Sequence, residues 1–203
     1  MRKLWKRVGI CAALSALIWC GGLLLDRKTL NQELVRFHVV ANSDSEVDQK
    51  VKLRVRDAVL QSLEQELRSM KDVDAARTYL QENLPQIKET ADRVLELAGF
   101  DEKTLVSLCE ETFDTRYYDT FSLPAGVYQA LRITIGEGNG QNWWCVAFPS
   151  LCFAAVSEEF EVTAVSAGFS EELAKTLSGK EPRQLRFFML DVLGTLENRL
   201  FSK

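Results

Sequence analysis

Apolar residues recur along this chain with three different periods, and each period predicts a different element. Val8 to Leu25 is an unbroken, uncharged and mostly apolar run. From Leu34 to Ala41 the period is two: Val35, Phe37, Val39 and Ala41 share one face, Arg36 and His38 the other, which predicts a strand with one buried side. After it the step becomes three or four. Val47, Val51, Val55, Ala58, Val59, Leu63 and Leu67 form a helical stripe opposite Lys50, Arg54, Asp57, Gln61 and Glu64. Val51, Leu53 and Val55 also alternate, but a cap (Ser43 with Glu46, or Ser45 with Asp48) and the length of the stripe favour a helix ending near Arg68.

A second helix is predicted from Asp72 to Leu84, with Val73, Ala76, Tyr79 and Leu80 as its apolar side; Pro85 breaks or restarts it. Gln86 to Ala98 continues, with Ile87, Ala91, Val94 and Leu95 inward and Gly99 as the stop. Thr104 to Thr112 reads as a strand, residues 122–126 as a turn, Val127 to Ile135 and Asn142 to Phe148 as further strands. Residues 160–166 suggest one more short strand, and Glu171 to Leu177 a short helix. In the last helix Leu185, Phe188, Met189, Val192, Leu193, Leu196 and Leu200 step along one side, which predicts packing on the sheet; Gly194 is its one blemish. Its mixed-charge polar face argues against a membrane-surface helix. Helices, then strands, then a helix predict an α+β fold: one domain at 29–203 with a helical layer on a largely antiparallel sheet, behind a hydrophobic signal or anchor segment at 1–28.

Charge sharpens the reading of the start. Residues 1–30 hold Arg2, Lys3, Lys6, Arg7, Arg27 and Lys28 against Asp26, a balance of +5, so the remainder carries −9 of the total −4. A basic flank before a run of about 27 Å predicts a secretory signal or a membrane anchor, with the acidic body outside the cytoplasm. Cleaved signal and retained anchor both remain open, because no Ala-x-Ala pattern ends the run. The acidic body argues against nucleic acid as a partner.

The richest local sequence is GEGNGQNWWCVAFPSLCF, residues 136–153. Its glycines fall at every second position and precede a strand pattern, unlike a phosphate-binding loop, whose amides open a helix. Asn139-Gly140 predicts a hairpin loop, since both residue types tolerate positive φ. Cys145 and Cys152 fit no CxxC spacing. An extended chain would hold them about 23 Å apart, whereas a disulfide needs Cα atoms about 5.5 Å apart. A reversal at Pro149 makes them a candidate disulfide, favoured over free thiols and well above metal ligation; Cys109 is expected to be a buried thiol. Trp143 and Trp144 should point to opposite faces, so that one can anchor a partner. His38 is the only histidine, most simply a surface or hydrogen-bonded one, and Asp44, Glu46, Asp48 and Asp57 most simply complement a helix start. No catalytic residue, cofactor site or metal site is expected.

Two blocks, VRFHVVANSDSEVDQKVKLRVRDAV (35–59) and PAGVYQALRITIGEGNGQNWWCVAFPSLCF (124–153), together with the hydrophobic start, resemble the stage II sporulation protein R family of endospore-forming bacteria. Ser150 departs from a second proline expected after Pro149, and the segment between Cys109 and Leu123 is more divergent. The resemblance implies an exported signalling protein, made in the forespore and sent into the space between its two membranes. There it would trigger a membrane-embedded aspartic-type protease of the mother cell, the sigma-E factor processing peptidase. It implies no catalytic machinery in this chain. Candidate contacts with that partner are Trp143 or Trp144, the 136–142 loop with Glu137 and Asn139, and the Asn42–Asp48 turn with Asn42, Asp44 and Asp48. An exported hydrolase using His38 or the Asp44/Asp48 acids, and an envelope scaffold, are the competing expectations.

Overall fold

Strand β1 (Val35–Val40) is buried on both faces in the computed structural model, which describes residues 2–153, 157–178 and 185–201, without the side chains of residues 2–4, 153 and 157–159. The expected basic flank therefore lies partly outside the described residues. The single buried side expected of this strand is corrected: Arg36 is as enclosed as Val35 and Phe37, and His38 is buried too. Topology is the reason. The main sheet has the order β2-β5-β1-β6, formed by β2 (Thr104–Phe113), β5 (Gly126–Ile135), β1 and β6 (Asn142–Phe148). β1 is an interior strand, parallel to β5 and antiparallel to β6, while β2 pairs antiparallel with β5. The sheet is thus mixed, and both its faces carry helices. A two-stranded ribbon, β3 (Arg116–Tyr117) with β4 (Ser122–Leu123), lies between β2 and β5 in sequence.

One face is covered by α2 (Glu46–Ser69), α3 (Val73–Glu82) and α4 (Leu84–Leu97). Ser45 caps α2 by accepting from the Asp48 amide, and Asp72 caps α3 by accepting from the Ala75 amide. Asp92 of α4 accepts from the amide and hydroxyl of Thr104 and ties this layer to the start of β2. The core is apolar: Val51, Val55, Val59 and Leu63 of α2 and Leu80, Ile87 and Leu95 of α3 and α4 meet Phe37, Val39, Leu131 and Ile133.

The other face is covered by α1 (Arg2–Gln32), α5 (Ser157–Ser166), α6 (Glu171–Leu177) and α7 (Leu185–Phe201). The strand expected at 160–166 is instead α5, where Phe160 and Ala164, four apart, are both buried. Helix α1 is long and apolar enough to cross a membrane, and almost all of that stretch is exposed. One side of its last turns is buried: Leu23 and Leu30 pack with Phe160, Leu173, Phe187 and Leu190 in the second core.

The stripe predicted to bury α7 faces outward. Leu185, Phe188, Val192, Leu196 and Leu200 are exposed, Met189 and Leu193 only partly covered, and the inward residues are Phe187, Leu190 and Gly194. The charges of α7 account for the inversion. Asp191 accepts from the Thr115 hydroxyl and the Ala125 amide, Glu197 pairs with Arg27 and accepts from Asn31, and Arg186 pairs with Asp26 and Glu172. Gly194 is no blemish, because a Cβ there would run into the Ala125 carbonyl and the Arg27 guanidinium.

Candidate functional site

The 136–142 loop is not a hairpin. β5 and β6 do not pair, because β1 lies between them, so the loop crosses the end of β1. Its reversal uses positive φ at Gly136 and Gly138, closed by the Gly138 amide donating to the Ile135 carbonyl (3.0 Å), and not at Asn139-Gly140. Gly140 is needed for another reason: a Cβ would collide with the Ser43 carbonyl.

That crossing joins the loop to the turn after β1. The Asn139 and Gly140 amides donate to the Asn42 and Ala41 carbonyls (3.0 and 2.9 Å). The Glu137 amide donates to the Asn42 side-chain oxygen (3.0 Å), and the Gln141 amide to Asp44 Oδ1 (2.7 Å). Asp48, buried at the start of α2, accepts from Asn42 Nδ2 (3.3 Å) and from the Ser43 hydroxyl. Lys52 closes the knot by donating to the Gln141 carbonyl (2.9 Å). Burial pushes the Lys52 ammonium toward deprotonation, and the nearby Asp44 charge opposes it. Asn42, Asp44 and Asp48 thus hold the tip together, while the side chains of Glu137 and Asn139 face solvent.

Below the tip, Trp143 and Trp144 lie on opposite faces of β6, both half-buried. Trp143 meets the Phe37 ring edge-on at 5.9 Å and carries the Arg56 guanidinium 4.8 Å above it. Trp144 stacks on His38 (5.7 Å) and carries Arg116 at 3.5 Å. Cys145 is joined to Cys152 with Cα atoms 5.6 Å apart, across the chain reversal at a cis Phe148–Pro149 bond. Cys109 is a half-buried free thiol.

His38 has both ring nitrogens engaged: Nδ1 with Glu111 Oε2 and Nε2 with Asn142 Oδ1, each at 2.9 Å. Glu111 also pairs with Arg132. Burial raises the affinity of the Glu111 carboxyl for its proton, but hydrogen bonds and charge from His38 and Arg132 outweigh it and hold the group below the ordinary carboxylate range. A general base needs a free ring nitrogen facing a proton to abstract, and this ring offers none. Among the described residues no group of three His, Cys, Asp or Glu is disposed to hold a metal ion. Reading the strands one at a time missed Glu111, Arg132, Arg56 and Arg116. The parity of Arg132 and His38 was visible, but cross-strand order decides which polar residues meet.

The family model for stage II sporulation protein R matches residues 31–158, which include β1, the tip, both tryptophans and the disulfide. The chain belongs to the stage II sporulation protein R family. It is 38% identical over 121 residues to the stage II sporulation protein R of Bacillus subtilis (strain 168), an alignment covering 60% of this chain and 54% of that protein. The chain therefore matches about half the length of this curated relative. No solved structure matches. The family segment stops short of α6 and α7, so it contains the knot at the tip, and the inverted helix lies outside the matched residues.

Proposed function

We propose that this chain is an exported signalling protein of sporulation that activates a membrane-embedded aspartic-type protease of the mother cell, leading to processing of the sigma-E factor precursor. Family membership supports a role in sporulation, and α1 supplies a signal or anchor segment suited to export. The observation that carries the reading is the tip. The two sequence blocks farthest apart in the matched segment interlock through Asn42, Asp44 and the 136–142 loop into one rigid, solvent-facing edge. A pre-ordered edge suits a ligand that must bind the active state of its receptor more tightly than the inactive one, because little ordering entropy opposes binding. Exposed Asp44, Glu46 and Glu137 make that edge acidic, and Trp143 and Trp144 flank it from either face.

Co-expression with the protease and its precursor substrate, with and without this chain, tests the reading by scoring processing. Processing should require this chain, and processing in its absence refutes the reading. Substituting Glu137→Lys together with Asn139→Arg changes only exposed side chains, so the domain should stay folded while activation falls at least tenfold. Full activation by that variant moves the contact away from the tip.

A further inference from the structure

We infer that the outward face of α7 rests on the outer surface of the membrane that α1 crosses, in contact with lipid headgroups and upper acyl chains. The outward face is a continuous apolar strip: Phe188 is 60% exposed, Leu196 49% and Leu200 75%, with Leu185 and Val192 between and beside them. Of the four charges of α7, the exposed Arg199 can pair with lipid phosphate, and the other three are turned the other way. Arg186, Asp191 and Glu197 are each tied to partners inside the domain. A helix with both its acids inward and a strip of aliphatic and aromatic side chains outward is arranged for an apolar surrounding.

Continuity with α1 names that surrounding. Arg186, at the first turn of α7, pairs with Asp26, the residue that ends the apolar run of α1. Leu23 is buried with Phe187 and Leu190, while Leu24 and Leu25 stay exposed on the same stretch of α1. The first turns of α7 therefore sit where the apolar run of α1 ends, so a membrane crossed by α1 would lie at the level of Leu185 and Phe188. Exposed Lys28, two residues beyond Asp26, can reach lipid phosphates from this edge.

The inference rests on α1 being membrane-inserted, and the test separates the two. The full-length chain, with Cys11→Ala, Cys20→Ala and Cys109→Ser and the Cys145–Cys152 disulfide kept, is reconstituted in phosphatidylcholine–phosphatidylglycerol vesicles. Single spin labels are placed at Phe188, at Val192, at Leu14 of α1 and at Leu97, an exposed residue on the opposite layer. Oxygen reports lipid contact and a water-soluble nickel chelate reports water. Labels at Phe188 and Val192 should be several-fold more accessible to oxygen than to nickel, like Leu14, and the label at Leu97 the reverse. Leu14 immersed with Phe188 and Val192 in water overturns the docking alone; all of them in water overturns the insertion of α1 with it. Labels at Phe188 and Val192 shielded from both reagents mean that protein covers this face, a second copy if dilution in lipid restores access, and that too overturns the inference.

Discussion

The two faces of the sheet are built by opposite rules. On the α2–α4 face the core is apolar, and apart from Asp48 and Lys52 at the tip the helices keep charge outside in exposed pairs such as Lys50–Glu46 and Arg68–Glu64. On the α1/α5–α7 face, charge is inside. Arg36 is fully buried with its guanidinium 4.3 Å from the Phe113 ring, His38 meets Glu111, and Arg27 lies against Tyr128 and pairs with Glu197. The difference teaches what a stripe of leucines does and does not say. Periodicity marks the apolar side of a helix, whereas the partners of its charges decide which side meets the domain.

The largest break in the comparison comes from putting a charge into the apolar face. Val55→Asp, with no partner among Phe37, Val59 and their neighbours, should cost about 4 kcal/mol or more, enough to abolish a cooperative thermal transition in detergent micelles. The same reasoning makes removal of a charge severe on the other face. Arg27 fills the space left by Gly126 and Gly194, so Arg27→Ala vacates that space and removes the cationic partner of Glu197, which keeps Asn31, while the Tyr128 hydroxyl keeps the Pro124 carbonyl. A loss of about 2–3 kcal/mol is expected, mostly from the vacated packing space, because solvent reaches Glu197. On α2, Lys50→Ala removes only an exposed pair and should leave the melting temperature unchanged. Equal tolerance of Arg27→Ala and Lys50→Ala would erase the distinction between the faces.

Gly194→Ala sharpens the point with one methyl group. Helix propensity alone favours alanine by about 1 kcal/mol. The contact with the Ala125 carbonyl and Arg27 should reverse the sign, to a net loss of about 1–3 kcal/mol measured by chemical denaturation. A stabilised variant would mean that α7 does not press on the β4–β5 turn.

Much of the α2–α4 face was legible in the sequence, because there capping, apolar step and breaker agree: Ser45, Asp72, Pro85 and Gly99 mark real boundaries. The errors gather where strand order or charge pairing decides. Nothing local in VRFHVVA tells that β1 is interior and parallel to β5, so Arg36 and His38 read as a wet face. Asn139-Gly140 read as a hairpin because β1, lying between β5 and β6, is distant in sequence. Leu185 to Leu200 read as core because Asp26 and Arg27, the charged partners that turn α7 over, sit in the segment set aside as an anchor. At the site, the tryptophans and the Asn42–Asp48 turn stood out as residues, but their assembly with the loop depends on that same insertion of β1.

A pH titration probes the buried charge more gently. Glu111 is held below its unfolded pKa, so the folded state binds fewer protons and its stabilisation is present at neutral pH. It is lost as pH falls below about 4 and through the folded value. Glu111→Gln should cost about 1–2 kcal/mol at pH 7 and flatten the acid limb of the stability profile. An acid limb unchanged by the substitution would place the relevant proton uptake elsewhere.

The smallest expected effect discriminates best, since it asks whether the outward strip of α7 contributes to folding at all. Leu196→Asp adds a charge at a half-exposed site opposite Leu190 and Gly194. If the domain is held by the inward ions and the Phe187–Leu190 contact, unfolding in micelles should shift by no more than about 0.5 kcal/mol. The matching change on α2, Val55→Asp, is the one predicted to unfold the protein. A loss of several kcal/mol from Leu196→Asp would mean that the strip is core in solution and that the helices on both faces obey one rule. A silent Leu196→Asp beside a ruinous Val55→Asp means that the apolar strip of α7 is kept for a surface outside the domain.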